Sequence, residues 1–204
     1  MRWMGLLAFC LLLPACASSS DPSATVSREG AYLEAAGIRG MEFFGPSAPL
    51  GNETNGKFGG GLRVGYRGDK DMALEVFAED DRGYKLDSTT NESTRLEFRS
   101  FGVAGKVYLG GGAVEPYALL GAGAAAARFS QGTFHLHPAP GTVVPVNSPD
   151  ADANVGAFLR GGLGCEFHLG ERFGAFLEAN YNYMLGSLRN YDHLDGVAGI
   201  VIRF

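Results

Sequence analysis

The sequence predicts an all-β fold: an eight-stranded antiparallel up-and-down β-barrel whose strands cross a membrane. Three observations carry this prediction. Apolar residues recur with period two through eight separate segments, and no window after residue 30 shows a helical period. The connections between those segments alternate between short and long. The last segment, LDGVAGIVIRF (194–204), alternates up to a final aromatic, Phe204, where a water-soluble domain commonly frays into a polar tail.

The elements follow in order. MRWMGLLAFCLLLPACASSS has the layout of an export signal: Arg2, an apolar run from Trp3 to Leu13, and small residues at Ala15 and Ala17. That run is shorter than the ~20 residues a spanning helix needs. Residues 1–17 are therefore read as a signal peptide, cleaved after Ala17 or, if Leu13-Pro14-Ala15-Cys16 acts as a lipobox, before a lipidated Cys16. Residues 18–30 form an N-terminal tether, and 31–204 form the barrel. Cys165 is the one thiol left in that domain, so its stability cannot come from an internal disulfide.

Strands are expected at 31–44, 58–67, 71–82, 96–109, 116–129, 155–169, 173–185 and 194–204. The clearest is VGAFLRGGLGCEFHL: Val155, Ala157, Leu159, Leu163, Cys165, Phe167 and Leu169 share one face, opposite Arg160, Glu166 and His168. The first strand reads poorly because Arg39 falls among Leu33, Ala35 and Met41, and a bulge is expected to repair it. The strand 116–129 is small and apolar on both faces, so inside and outside are not assigned there. Short turns are expected at 68–70, 110–115 and 170–172, and long polar loops at 45–57, 83–95, 130–154 and 186–193.

Alternation alone does not separate a membrane barrel from a soluble one, which would turn the apolar set inward. Strand length decides, since ~9 to 11 tilted residues cross a bilayer whereas soluble strands average ~5 to 6. The loop asymmetry agrees. In the clearly read strands, charges also enter the apolar faces only near the long-loop end, at Asp80, Arg82, Glu97 and Arg99.

The run Gly196 to Phe204, with Ile200, Ile202 and Phe204 on one face, resembles the assembly signal of bacterial outer-membrane barrels. Glu115-Pro116-Tyr117 followed by Gly121-Ala122-Gly123, and the strand–turn–strand from Arg160 to Tyr183, resemble small barrels of the outer-membrane protein A and X type. The resemblance implies a bacterial outer-membrane location, both termini periplasmic, and insertion by the assembly machinery through the C-terminal strand.

An eight-stranded barrel is just wide enough for side chains to fill, so no aqueous pore is expected. The inward set is expected to be a mixed-sign network of Arg63, Arg67, Glu75, Glu79, Lys106, Arg160, Glu166, Glu178, Asp195 and Arg203, paired because isolated charges are costly there. Tyr66, Tyr181, Tyr183 and Phe204 are assigned to interfacial aromatic girdles.

No catalytic, cofactor or metal site is assigned. The Gly-rich stretches lack a Lys-Ser/Thr partner and open no helix, which argues against a phosphate loop. His135 and His137 form a local pair without a third ligand. A net charge of −5 gives no footprint for nucleic acid. The partners expected are outer-membrane lipids and, through the Pro-rich loop 130–154, a host or neighbour surface; the barrel is expected to be a monomer. The role expected is structural or surface-interacting. Two alternatives remain: a lipid-A-modifying enzyme using Ser187, Asp192 and His193, and a lipid-anchored soluble barrel binding an apolar ligand.

Overall fold

The computed structural model describes residues 28–42, 54–55, 57–87, 93–130, 134–136, 144–146, 154–189 and 191–204. The signal peptide, Cys16 and most of the tether lie outside the described residues. Eight long strands build the fold: β1 (Gly30–Glu42), β2 (Lys57–Arg67), β3 (Met72–Asp87), β4 (Ser93–Tyr108), β5 (Val114–Ser130), β6 (Asn154–His168), β7 (Phe173–Met184) and β8 (His193–Arg203). Each pairs antiparallel with its sequence neighbours. The sheet then closes on itself: β1 pairs with β8 from Tyr32↔Arg203 to Glu42↔His193. Closure leaves none of the eight long strands with an open edge, the condition for placing backbone amides in hydrocarbon.

The period-two pattern sorts side chains as expected for a membrane barrel. Leu62, Val64, Leu74, Val76, Phe101, Val103, Leu120, Leu159, Leu177 and Ile200 stand exposed on the outside, while the opposite positions of the same strands are buried. This excludes the soluble barrel with an apolar interior. Tyr66 and Phe204 lie outward at the short-turn end, and Tyr181 and Tyr183 outward at the long-loop end.

Several expectations need correction. β1 carries no bulge; its register with β2 runs unbroken from Gly30↔Arg67 to Gly40↔Lys57. Arg39 simply stays on the outer face, opposite Phe58 near the long-loop end, where a long cationic side chain reaches the aqueous boundary. The register shift lies instead in β3, between Asp81 and Tyr84. Beyond it β3 and β4 continue pairing to Asp87↔Ser93, so the expected loop 83–95 is mostly hairpin. Thr54–Asn55 adds to that hairpin opposite Leu86 and Lys85. Above the lipid the alternation is brief, Tyr84 and Leu86 against Lys85 and Asp87, and among polar neighbours it reads as loop.

The prolines of the loop 130–154 disfavour strand pairing. Phe134–Leu136 nevertheless pairs with Val144–Val146, with Pro145 opposite His135. A proline removes one ladder donor but is tolerated on the edge of a short ribbon. The segment after β7 is also less polar in effect than it reads: a 3-10 turn at Gly186–Leu188 tucks Leu188 into the core.

Charge on the outer face should therefore cost most at mid-height. Val76 sits between Val64 and Val103, all exposed to lipid. Val76→Arg should destabilise the inserted barrel by roughly 2–4 kcal/mol, and Tyr66→Arg at the rim by about 1 or less, in reversible unfolding from lipid.

Candidate functional site

The lumen is the one concentrated assembly of polar chemistry among the described residues. It is a solid of interlocked charges. All ten side chains named from the sequence are buried in it, and they fall into three tiers.

In the tier at the short-turn end, Arg67 Nη1 meets Glu115 Oε2 at 2.8 Å, and Arg28 Nη1 meets the other oxygen at 2.5 Å. His168 Nε2 lies 2.9 Å from the same carboxylate. Arg203 pairs with Glu166, which also accepts from the Tyr108 hydroxyl at 3.1 Å. The Arg67 guanidinium stacks 3.8 Å above the Tyr108 ring.

The middle tier turns on Lys106 and Arg63. Lys106 Nζ stands 2.7 Å from Glu34 and 2.8 Å from Glu75. Arg63 Nη1 reaches Glu178 at 2.9 Å, and its Nη2 reaches Glu79 at 3.2 Å. Tyr117 donates to Glu178 at 2.8 Å and Tyr32 to Glu75 at 3.3 Å. The two tyrosine rings lie over Gly65 and Gly164, where a Cβ would collide with them. Glycine is needed there because each ring already fills the space a Cβ would take.

Nearer the long loops, Arg160 grips Glu79 with two parallel bonds of 2.9 and 2.5 Å, and its Nε donates to Asn182 at 2.8 Å. Asn182 in turn donates to Asp195 at 2.7 Å. Above this the lumen ends in an apolar lid of Phe98, Met184, Leu188 and the partly buried Tyr191.

Sequence reading missed three buried acids: Glu34, Asp81 and Glu115. Glu34 and Glu115 lie on or beside the strands whose facing was left open, and Asp81 adjoins the register shift. Glu34 was legible in principle, because a Glu between small apolar residues on a spanning strand has to face inward. The residues of the enzymatic alternative are engaged elsewhere. Ser187 Oγ donates to the Val155 carbonyl at 2.7 Å, Asp192 accepts from Met184 N and Tyr181 OH at 2.8 and 3.1 Å, and His193 points into the lumen towards Asp195 at 3.3 Å.

Residues 8–201 match the family model described as the outer membrane protein beta-barrel domain. The chain belongs to that family. It is a protein of the bacterial outer membrane. No curated protein matches it. Among solved structures it is similar to neisserial surface protein A, at 18% identity and a TM-score of 0.61 over 86% of this chain and 97% of that one. It is likewise similar to Ail, the attachment invasion locus protein of Yersinia pestis, at 17% identity and 0.55 over 86% and 99%. OprG from Pseudomonas aeruginosa follows at 14% and 0.54 over 86% and 96%. At these identities the likeness is one of fold.

The lumen of this outer-membrane barrel should be sensitive to the loss of single charges. Lys106→Met leaves Glu34 and Glu75 together, with the Arg63 guanidinium 3.7 and 3.6 Å away. It should destabilise by about 3–5 kcal/mol, and adding Glu34→Gln should restore part of that, read as the temperature of the heat-modifiable shift on gels.

Proposed function

We propose that this protein is a non-enzymatic outer-membrane barrel that holds its long loops at the cell surface for contact with a host or neighbouring surface. The filled lumen is the observation that carries the reading. Among the described residues charged tiers and an apolar lid fill it, so it offers no channel for a solute and its carboxylates have no room for an organic substrate. What remains available for function is the loop end.

Outer-membrane barrels keep short turns in the periplasm and long loops outside. By that rule the turns around 68–71, 109–113 and 169–172, together with both termini, are periplasmic. The ribbon Phe134–Leu136 with Val144–Val146 then stands on the external side, in the longest connection. The presence of an attachment invasion locus protein among the fold's neighbours is consistent with a surface-contact role. Ile200, Ile202 and Phe204 line the outer face of β8, where the assembly machinery would engage a closing strand. The barrel works as a monomer, with lipid as its lateral partner.

Orientation and sealing are tested together. Ala139→Cys, in the longest connection, should react with an impermeant maleimide on intact cells, whereas Glu171→Cys should react only after permeabilisation. The purified barrel should give no ion conductance in planar bilayers, and its expression or deletion should leave the lipid A mass spectrum unchanged. A discrete conductance or a new lipid A species would sink the proposal.

A further inference from the structure

At its long-loop end the lumen brings together three side chains of metal-ligating type. His193 and Asp195 are two residues apart on β8, so the strand period turns both inward. Asp81 approaches from β3, three strands around the barrel. The register partners of Asp81 and Asp195 on the intervening strands are Gly59 and Gly40. A Cβ on Gly59 would strike the Asp81 carboxylate, so the glycine is what lets Asp81 lie across β2. One ligating atom from each of the three lies within 4.8 Å of the others, and all three residues are buried.

The histidine gives the cluster its direction. His193 Nδ1 stands 3.0 Å from the Tyr191 carbonyl oxygen. A carbonyl only accepts, so Nδ1 carries the hydrogen in either neutral or charged form. Nε2 is thereby turned inward, 3.3 Å from Asp195 Oδ2. With Nδ1 carrying the hydrogen, the neutral ring offers its Nε2 lone pair toward that carboxylate, and a cation between the two is held by both. Asp195 Oδ2 is held from behind by Asn182, Asn182 by Arg160, and Arg160 by Glu79. Hydrogen bonds of this kind behind both a histidine and a carboxylate are what orient metal ligands.

We propose that Asp81, His193 and Asp195 bind a divalent first-row transition cation, Zn2+ in the first instance. One imidazole nitrogen with two carboxylate oxygens suits such an ion, whereas Mg2+ and Ca2+ prefer oxygen alone. Ligands at ~2.1 Å from a tetrahedral ion stand ~3.4 Å apart, close to the observed His193–Asp195 separation of 3.3 Å. The Phe98 ring lies 5.8 Å from the His193 ring and carries Tyr191 at 6.0 Å, so aromatic cover shields the ion. The ion is structural: it ties the outer end of β3 to that of β8.

The test uses the full chain purified from outer membranes in detergent and stripped with EDTA. Calorimetry should record one Zn2+ per chain, and Zn2+ should raise the temperature of the heat-modifiable shift. His193→Gln should abolish binding, and Asp81→Asn should weaken it by roughly 10-fold or more. His135→Ala with His137→Ala should leave it intact. Heat-modifiable migration scores folding of every variant; should His193→Gln not fold, the ring signals of His193 followed by NMR during Zn2+ titration of the wild type decide. The proposal is overturned by no uptake up to about 1 mM Zn2+, by binding that survives His193→Gln, or by a His193 ring that stays doubly protonated and unmoved as Zn2+ is added.

Discussion

Everything in this structure depends on the pairing of β1 with β8. In hydrocarbon an unpaired amide or carbonyl costs several kcal/mol, and water is not there to satisfy it. An open eight-stranded sheet would expose two rows of such groups along its edges. The ladder from Tyr32↔Arg203 to Glu42↔His193 removes both rows at once. The same closure fixes the size of the lumen, and the size of the lumen dictates what the inward positions can hold.

The second constraint follows from the first. Alternation sends every other residue outward, where only apolar side chains are stable, and leaves the inward set to make the sheet two-sided. A barrel apolar on both faces would have no preferred register, because a one-residue slip would exchange equivalent surfaces. Charged inward residues make that slip prohibitive: moving β6 by one residue would place Arg160, now doubly bonded to Glu79, in lipid. The ion pairs thus contribute to uniqueness of register even where their net stabilisation over an apolar filling is small.

The spanning portion was legible because lipid imposes a rule on every second residue. β6 and β7 show it fully, with Arg160, Glu166 and Glu178 interrupting otherwise small or aromatic inward faces. β1 and β5 were harder because Ala and Gly satisfy both environments, so in β1 only Glu34 itself marks the inward face. Outside the lipid the rule lapses. The upper β3–β4 hairpin and the ribbon in the longest connection carry only brief alternations, Tyr84 and Leu86 in one and Phe134 and Leu136 in the other, too short to stand out from a polar loop. The cluster of Asp81, His193 and Asp195 was half visible: two members share one face of β8, but the third comes from a strand that only closure brings near.

This division also explains how the fold persists while sequences diverge. Neisserial surface protein A keeps the fold at a TM-score of 0.61 with 18% identity. What the bilayer selects is a pattern, apolar outward and paired polar inward, and many residue choices meet it. A salt bridge such as Lys106 with Glu34 and Glu75 fills its tier if charge and length are right, whichever strand supplies each end. The loop end is under no such rule, because residues above the lipid are bound neither by the belt nor by the lumen. A barrel with a sealed interior is therefore a support whose own construction says little about what it displays. The place where the two meet is the outer tier of the lumen, where Asp81 and His193 lie at the end covered by Phe98 and Tyr191.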